Sequence, residues 1–281
     1  MNKTFITSDI EIAYNESGKG KQTILFIHGL GNHKGIWNYT TENLSKKFRC
    51  IAIDLPGNGN SSHGNYPYSM FFYAECLKKL IDVLQLETIH LVGHSMGGHI
   101  AMVFALRYPH LVSKLVLIAA SGLEYFSELD KMMVNQSIQM GQFMYSNEFY
   151  LENAIKQSFY RFDHKLINKV IDESKAFIPL QKTGNWQQMI TASINGMLSE
   201  QVQQFLPQIN QETLIIFGEN DAMIPNLLLH PTETVSSIAK KAEALIENSE
   251  VLLLKNAGHF VQIEKSDEVN TAIQAFIEKQ I

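Results

Sequence analysis

The chain of 281 residues is poor in cysteine and has no long apolar run. Its two cysteines, Cys50 and Cys76, show no C-x-x-C or zinc-ligand spacing, so we expect two buried, reduced thiols. No apolar stretch reaches the roughly 20 residues that a membrane span requires. The segment 1–18 lacks the basic stretch and apolar run that mark a signal peptide. We therefore expect a cytoplasmic protein without a membrane span.

Clustered positive charge is missing as well. The 23 lysines and arginines are outnumbered by 28 acidic residues, which gives a formal net charge of −5. Because binding to nucleic-acid phosphates needs a basic patch or stripe, this composition argues against nucleic acid as a partner. The hydrophobic fraction of 45% instead indicates a globular protein with a large core. The length fits one α/β core with an insertion.

Short apolar runs without alternation predict strands that are buried on both faces, as in a parallel sheet. They occur at 23–29, 50–57, 89–95, 115–121, 213–221 and 251–259. Helix-like segments separate most of them, at 37–48, 68–86, 95–108, 232–247 and 266–281. This alternation predicts an α/β fold with a doubly wound, mostly parallel sheet. The segment 3–18 alternates apolar and polar residues around Ser8 and Asp9, which predicts an antiparallel hairpin at a sheet edge.

One interval interrupts this pattern. About ninety residues between Ser121 and Glu212 carry no strong strand signal and are rich in Met, Phe, Tyr and Gln. A structureless loop of that length is improbable in a compact domain. We therefore predict a helical cap at 123–206, inserted into a core made of 1–122 and 207–281.

A serine surrounded by glycines is the first candidate for chemistry. The sequence Gly93-His94-Ser95-Met96-Gly97 fits the pattern G-x-S-x-G and stands between a predicted strand and a predicted helix. A serine at such a sharp turn exposes its hydroxyl above the sheet. A serine hydroxyl is a poor nucleophile at neutral pH, so it needs a base within hydrogen-bonding reach.

Suitable partners follow two later strands. Histidine is the natural base and a carboxylate orients it, and in an open parallel sheet such groups gather at the carboxyl ends of strands. His259 and Asp221 each end an apolar run, so we predict a triad of Ser95, Asp221 and His259. Glu219 stands two residues from Asp221 and is an alternative. Alternation would point Glu219 in a different direction, so we assign Asp221.

The turn after the first long apolar run supplies backbone N–H groups. Acyl transfer forms an oxyanion that such preorganised donors stabilise. We assign the N–H groups of Leu30 and Met96 to this role, since Met96 also begins a predicted helix. His94 and His99 are not an i, i+4 metal-binding pair, and we predict neither a metal site nor a cofactor.

Five motifs together carry a resemblance to a known family. They are HGLG (28–31), DLPGNGNS (54–61), GHSMGG (93–98), GENDAMIP (218–225) and AGHF (257–260). In this order and spacing, the chain resembles the α/β-hydrolase superfamily, within its capped esterase-like group, over 23–122 and 212–281. GHSMGG is also similar to monoacylglycerol lipases and carboxylesterases. The resemblance implies a serine hydrolase that works through an acyl-enzyme, and it makes Asp54 part of a structural turn.

The chain departs from the family pattern beside the acid. An extra segment at 226–237 could line the pocket or form a contact in a homodimer. The Met-rich and aromatic cap predicts a small, apolar carboxylic ester or thioester as substrate, because such side chains adapt to uncharged ligands. Four residues are candidates for substrate contact: His33, Met140, Met144 and Trp186.

Other activities on the same triad stay open. They are C–C bond hydrolysis, lactone hydrolysis, aminopeptidase activity, cofactor-free haloperoxidation and non-catalytic binding of a small ligand. Family members that hydrolyse C–C bonds tend to carry Asn at the place of His94, which counts against the first. An aminopeptidase would need carboxylates in the cap to hold an amine. Several exist, and their spacing singles out none of them: Glu124, Glu128, Glu148 and Glu152.

Overall fold

The computed structural model describes residues 2–141, 148–160, 164–175 and 185–279, with the side chains of 139–141, 148–151, 164 and 185 left out. Its centre is a sheet of eight strands. The strands are β1 (Asn2–Phe5), β2 (Glu11–Ser17), β3 (Thr23–Ile27), β4 (Arg49–Ile53), β5 (Ile89–His94), β6 (Val112–Ile118), β7 (Glu212–Gly218) and β8 (Ser249–Leu254).

The sheet is mostly parallel. Its order is β1-β2-β4-β3-β5-β6-β7-β8, and every neighbouring pair from β4 to β8 runs parallel. β1 and β2 form an antiparallel hairpin at one edge, with Asn2 opposite Tyr14, and β2 continues antiparallel along β4. The doubly wound, mostly parallel sheet predicted from the sequence is therefore confirmed.

Ten helices occupy the described part of the chain. They are α1 (Asn38–Leu44), α2 (Met70–Val83), α3 (Met96–Arg107), α4 (Glu128–Gly141), α5 (Glu148–Gln157), α6 (His164–Lys175), α7 (Asn185–Ser199), α8 (Val235–Leu245), α9 (Val261–Glu264) and α10 (Ser266–Glu278). Local chemistry explains two helix starts: the Ser69 side chain accepts from the Phe72 N–H, and Thr234 and Ser237 form a capping box. Within the described ranges, no helix combines the length and apolarity that crossing a membrane requires.

Two apolar clusters cover the two faces of the sheet. β3 and β5 are buried at every residue, so their side chains contribute to both clusters. One cluster holds Tyr73 of α2 and Phe104 of α3, and the other holds Trp37 and Phe276 of α10. This two-sided burial explains why the strands read as unbroken apolar runs rather than as alternating patterns.

The described residues of 123–206 form helices α4 to α7 and a 3-10 turn at Gln203–Gln208, without a strand. Met189 of α7 packs into the first cluster, whereas Ile155 of α5 and Ile171 of α6 pack into the second. The cap helices therefore rest on both sides of the core. The division into a core of 1–122 and 207–281 and a cap of 123–206 stays a prediction.

Cys50 and Cys76 are buried and form no disulfide. Burial in apolar surroundings raises the pKa of each thiol to about 12, because it penalises the charged thiolate. Both are therefore protonated and unreactive at neutral pH.

Six histidines are buried: His28, His33, His90, His94, His99 and His259. Burial lowers the pKa of His33, His90 and His99 to about 4. In the unfolded chain these rings titrate near their ordinary value of about 6.5. Between these two values the unfolded chain binds more protons than the folded chain does. The stability from these neutral rings is therefore complete above about pH 6.5 and is lost as the pH falls towards 4.

We expect His90→Leu to flatten this acid-side loss of stability. Each buried neutral histidine contributes up to about 1.4 kcal/mol per pH unit to the slope, and His90 lies in β5 outside the cavity described below. Urea unfolding at a series of pH values between about 6.5 and 4.5 measures the slope. His110→Leu, at an exposed histidine, is the matched control and should keep the wild-type slope. Equal slopes in all three proteins would contradict the prediction.

Candidate active site

Ser95 occupies the turn between β5 and α3 in a strained conformation, with φ 53° and ψ −121°. A positive φ in a residue other than glycine costs about 1–3 kcal/mol and persists only where the surroundings enforce it. Here the Ser95 N–H donates to the Ile118 carbonyl over 3.0 Å, and the Ser95 carbonyl accepts from the Ser121 N–H over 3.1 Å. The end of β6 therefore holds the turn in place.

Close backbone contacts account for the glycines around the serine. A Cβ added to Gly93 would lie 2.3 Å from the Gly97 carbonyl oxygen, and one added to Gly97 would lie 2.3 Å from the Ile27 carbonyl oxygen. Real Cβ atoms essentially never come that close to another atom. The start of α3 can therefore pack against β5 and β3 only with glycine at these positions, which keeps Ser95 at the sheet edge.

His259 and Asp221 lie side by side beyond β8 and β7. His259 Nδ1 donates to Asp221 Oδ2 over 2.8 Å, and the side chains are 8% and 0% exposed. Asp221 Oδ1 accepts from the N–H groups of Met223 and Ile224, at 2.7 and 3.1 Å. These contacts place the proton of the His259 ring on Nδ1 and leave Nε2 as the basic nitrogen. Glu219, the alternative acid, is exposed.

Ser95 and His259 line the same cavity, which has a volume of about 470 Å³. Among the described residues, neither Ser95 Oγ nor His259 Nε2 has a hydrogen-bond partner. Such contacts are often long without substrate and tighten when it binds. The arrangement can support proton transfer from a serine hydroxyl to an oriented imidazole.

The turn after β3 passes directly beside Ser95. A Cβ on Gly29 would lie 3.0 Å from the Ser95 Cβ. The Asn32 N–H closes the turn on the Gly29 carbonyl over 3.2 Å, and Gly31 adopts the φ of 66° that such a turn needs. Leu30 lies between these two glycines and lines the cavity.

The two N–H groups assigned to an oxyanion remain available. Within the described ranges, the N–H groups of Leu30 and Met96 have no protein acceptor. Met96 is the first residue of α3. The N–H groups of a first helical turn lack intrahelical partners and form the positive end of the helix dipole. The geometry therefore leaves two N–H donors near Ser95, one from Leu30 and one from Met96.

Comparison with known proteins agrees with this geometry. A family model described as the alpha/beta hydrolase fold matches residues 22–266. The chain belongs to this family. It is 30% identical over 280 residues to a 2-hydroxy-6-oxononadienedioate/2-hydroxy-6-oxononatrienedioate hydrolase of Pseudomonas putida, covering 96% of this chain and 92% of the relative.

Solved structures extend the comparison to the fold. An esterase from Thermogutta terrifontis has a TM-score of 0.78 and 24% identity, covering 99% of this chain and 98% of its own. A meta-cleavage product hydrolase from Pseudomonas fluorescens has the same TM-score and identity, with 99% and 97% covered. Because their identity is low, these two matches show the fold alone. Together with the family match, the hydrolase-named relatives identify the chain as an enzyme, an alpha/beta hydrolase.

His94 has no predicted role in catalysis, and in the structure of this hydrolase its ring packs against that of His259, with centroids 4.8 Å apart. Its Nε2 donates to the His259 carbonyl oxygen over 2.9 Å, and its ring stacks on Phe260 with centroids 5.2 Å apart. Complete burial holds the His94 pKa well below its ordinary value, so the ring is neutral. His94 therefore fixes the backbone that carries His259. Its place one residue before the elbow serine is the only signal in the sequence.

His28 and Asp54 stabilise the turn of the hydrolase that carries Leu30. His28 Nδ1 contacts the Gly29 carbonyl at 2.7 Å, and Nε2 accepts from the Leu55 N–H at 3.0 Å. Asp54 is fully buried and accepts from the Lys34 N–H at 2.7 Å and from Lys34 Nζ at 2.5 Å. Asp54 therefore has a structural role, as the family resemblance implied.

The four predicted substrate contacts fare differently. Trp186 lines the cavity. His33 does not line it, and its Nδ1 instead accepts from the Gly35 N–H over 3.0 Å at the start of a 3-10 turn. Met144 and the side chain of Met140 lie outside the described residues.

The cavity of the hydrolase is mostly apolar. Its apolar side chains include Ile155, Trp186, Ile190, Ile194, Met197, Leu198 and Phe260. Among the described lining residues, Glu124 is the only Asp, Glu, Lys or Arg, and the two lining histidines are His99 and His259. From the extra segment at 226–237, Asn226 lines the cavity, whereas Leu227 and Leu228 are exposed. Groups of three or more possible metal ligands are absent from the described part of the chain.

Proposed function

We propose that this hydrolase cleaves a carboxylic ester or thioester of a small, largely apolar substrate through an acyl-enzyme on Ser95. The observation that carries the proposal is the 2.8 Å contact between His259 and Asp221 at the edge of the cavity that Ser95 also lines. An oriented imidazole is what a serine hydroxyl needs to become a nucleophile.

The mechanism follows from the groups around the cavity. His259 Nε2 takes the proton of Ser95 Oγ while Oγ bonds to the substrate carbonyl carbon. The oxyanion that forms accepts from the N–H groups of Leu30 and Met96. His259 then returns the proton to the leaving group, and the carbonyl–oxygen or carbonyl–sulfur bond breaks. Water repeats the sequence on the acyl-enzyme and releases the acid.

C–C bond hydrolysis is the second candidate, since the relative from Pseudomonas putida is named for a dienedioate. A dienedioate carries two carboxylates, and charged donors such as lysine and arginine hold carboxylates most strongly. The described lining residues include no lysine or arginine, and their one charged side chain is the Glu124 carboxylate. The character of the cavity therefore favours an ester of an apolar acid.

A series of p-nitrophenyl esters of increasing acyl length tests this proposal. We expect kcat/KM to rise by about fourfold for each methylene that the apolar cavity buries, and to fall once the chain outgrows it. 2-Hydroxy-6-oxononadienedioate is the comparison substrate, and its kcat/KM should be at least about tenfold lower than that of the best ester. Faster cleavage of the dienedioate than of every ester would overturn the ester assignment.

A further inference from the structure

Glu124 is an unusual side chain to find in this cavity. It follows β6 by a few residues, is only 7% exposed, and lines the cavity that Ser95 and His259 border. A buried carboxylate is costly unless its oxygens are hydrogen-bonded. Its contacts therefore indicate what the position is built to bind.

One oxygen of Glu124 is saturated and the other is not. Oε1 accepts from the Asn226 N–H at 2.9 Å and from His230 Nδ1 at 2.9 Å. Within the described ranges, Oε2 accepts no hydrogen bond. It is also not a fully buried atom, so a ligand can reach it. Oε2 is therefore an accessible acceptor on a residue that lines the cavity.

The surroundings fix the carboxylate in this orientation. The His230 ring lies between Glu124 and Asp130, with Nε2 3.7 Å from Asp130 Oδ2, and packs against Phe126 with centroids 5.2 Å apart. Asn226 and His230 both belong to the extra segment at 226–237. This segment therefore supplies the donors that hold Oε1 and leave Oε2 for a ligand.

We propose that Glu124 Oε2 binds a hydrogen-bond donor on the substrate, a protonated amine or a hydroxyl, at a distance from the scissile carbonyl. The inference rests on the proposed ester hydrolysis and narrows its substrate class to largely apolar esters that carry one donor group. The same carboxylate repels substrates that end in a carboxylate. Spacing along the sequence did not distinguish Glu124 from the other acidic residues of the cap, whereas its contacts do.

Matched p-nitrophenyl esters whose acyl chains end in methyl, ammonium, hydroxyl or carboxylate test the proposal. A hydrogen bond to a charged group predicts a preference for the ammonium or hydroxyl ester over the carboxylate ester of about 10- to 100-fold in kcat/KM. Glu124→Gln removes the charge and keeps the shape, and it should reduce this ratio to about threefold or less. Glu128→Gln is the control, because Glu128 is exposed and pairs with Lys131 on α4.

Two outcomes would overturn the role of Glu124. One is a wild-type enzyme that does not prefer the donor esters over the carboxylate ester. The other is a Glu124→Gln variant in which all four esters lose activity by the same factor, since that pattern means the residue only holds the acid loop. Retention of the wild-type ratio in the variant counts against the proposal in the same way.

A binding measurement separates this proposal from the proposed ester hydrolysis. In Ser95→Ala, calorimetry compares an alkylamine with the alkyl carboxylate of equal chain length, with and without Glu124→Gln. A preference for the amine that disappears with Glu124 supports the subsite even if no ester is hydrolysed. Ester hydrolysis without any such preference supports the hydrolase and rejects the subsite.

Discussion

Ser95→Ala is expected to lower kcat/KM for the best p-nitrophenyl ester by about 10⁴- to 10⁶-fold, with the fold intact. The oxygen that forms the acyl bond is lost, and alanine carries the same backbone strain at φ 53° as serine does. The Leu30 and Met96 donors and the cavity itself are unchanged, so substrate binding should persist. Steady-state kinetics together with the thermal unfolding midpoint measure the two effects separately.

Ser199→Ala serves as the matched control. Ser199 is exposed on α7 and its hydroxyl donates to the Asn195 carbonyl within the same helix over 2.7 Å, so its loss should leave the rate unchanged. Labelling by a fluorophosphonate should follow the kinetics and vanish only in Ser95→Ala. A folded Ser95→Ala enzyme that keeps a tenth of the wild-type rate would show that another group is the nucleophile.

The prediction that these groups lie near one another rests on the parallel sheet. Ser95, Asp221 and His259 each follow a separate buried strand, and the carboxyl ends of parallel strands meet at one edge. The succession of strands and helices along the chain and the antiparallel hairpin were also predicted from local patterns, and the fold class is confirmed. Some predicted apolar runs are longer than the observed strands. The run at 213–221, for example, continues past the end of β7 because it includes residues of the following loop.

The sequence is weaker wherever a long-range contact decides a role. Glu124 becomes distinct only through Asn226 and His230, which lie more than a hundred residues away along the chain. His33 flanks the oxyanion turn in sequence, yet its ring accepts from the Gly35 N–H and does not line the cavity. Loops have no regular sequence periodicity, so the sequence does not indicate the direction in which a loop side chain points. The triad and oxyanion assignments themselves stay predictions that kinetics must test.

The second large effect concerns the buried ion pair of Lys34 and Asp54. The two side chains are 8% and 0% exposed, and their charged atoms lie 2.5 Å apart. Asp54 also accepts from the N–H groups of Lys34 and Asn60, so it joins the loop after β3 to the loop after β4. A buried pair adds little net stability, because both ions lose their hydration. Removing one partner is different, since it leaves an uncompensated buried charge.

Lys34→Met is therefore expected to lower the free energy of unfolding by about 3–5 kcal/mol. Urea denaturation measures the change, with the dependence on urea concentration unaltered. Lys47→Met is the matched control: Lys47 pairs with Glu278 at 2.7 Å, but the side chains are 51% and 42% exposed. Loss of an exposed pair costs about 0–1 kcal/mol, because water already solvates both charges.

Lys34→Arg keeps a cation beside Asp54 and provides a measurement even if Lys34→Met does not fold. Arginine is bulkier than the compact ammonium, so we expect an intermediate loss of stability. Because Lys34 follows the turn that carries Leu30, the activity of a folded variant should fall together with its stability. A loss in Lys34→Met no larger than in Lys47→Met would contradict the prediction. The two loops would then be held together by the backbone donors to Asp54 rather than by the ion pair.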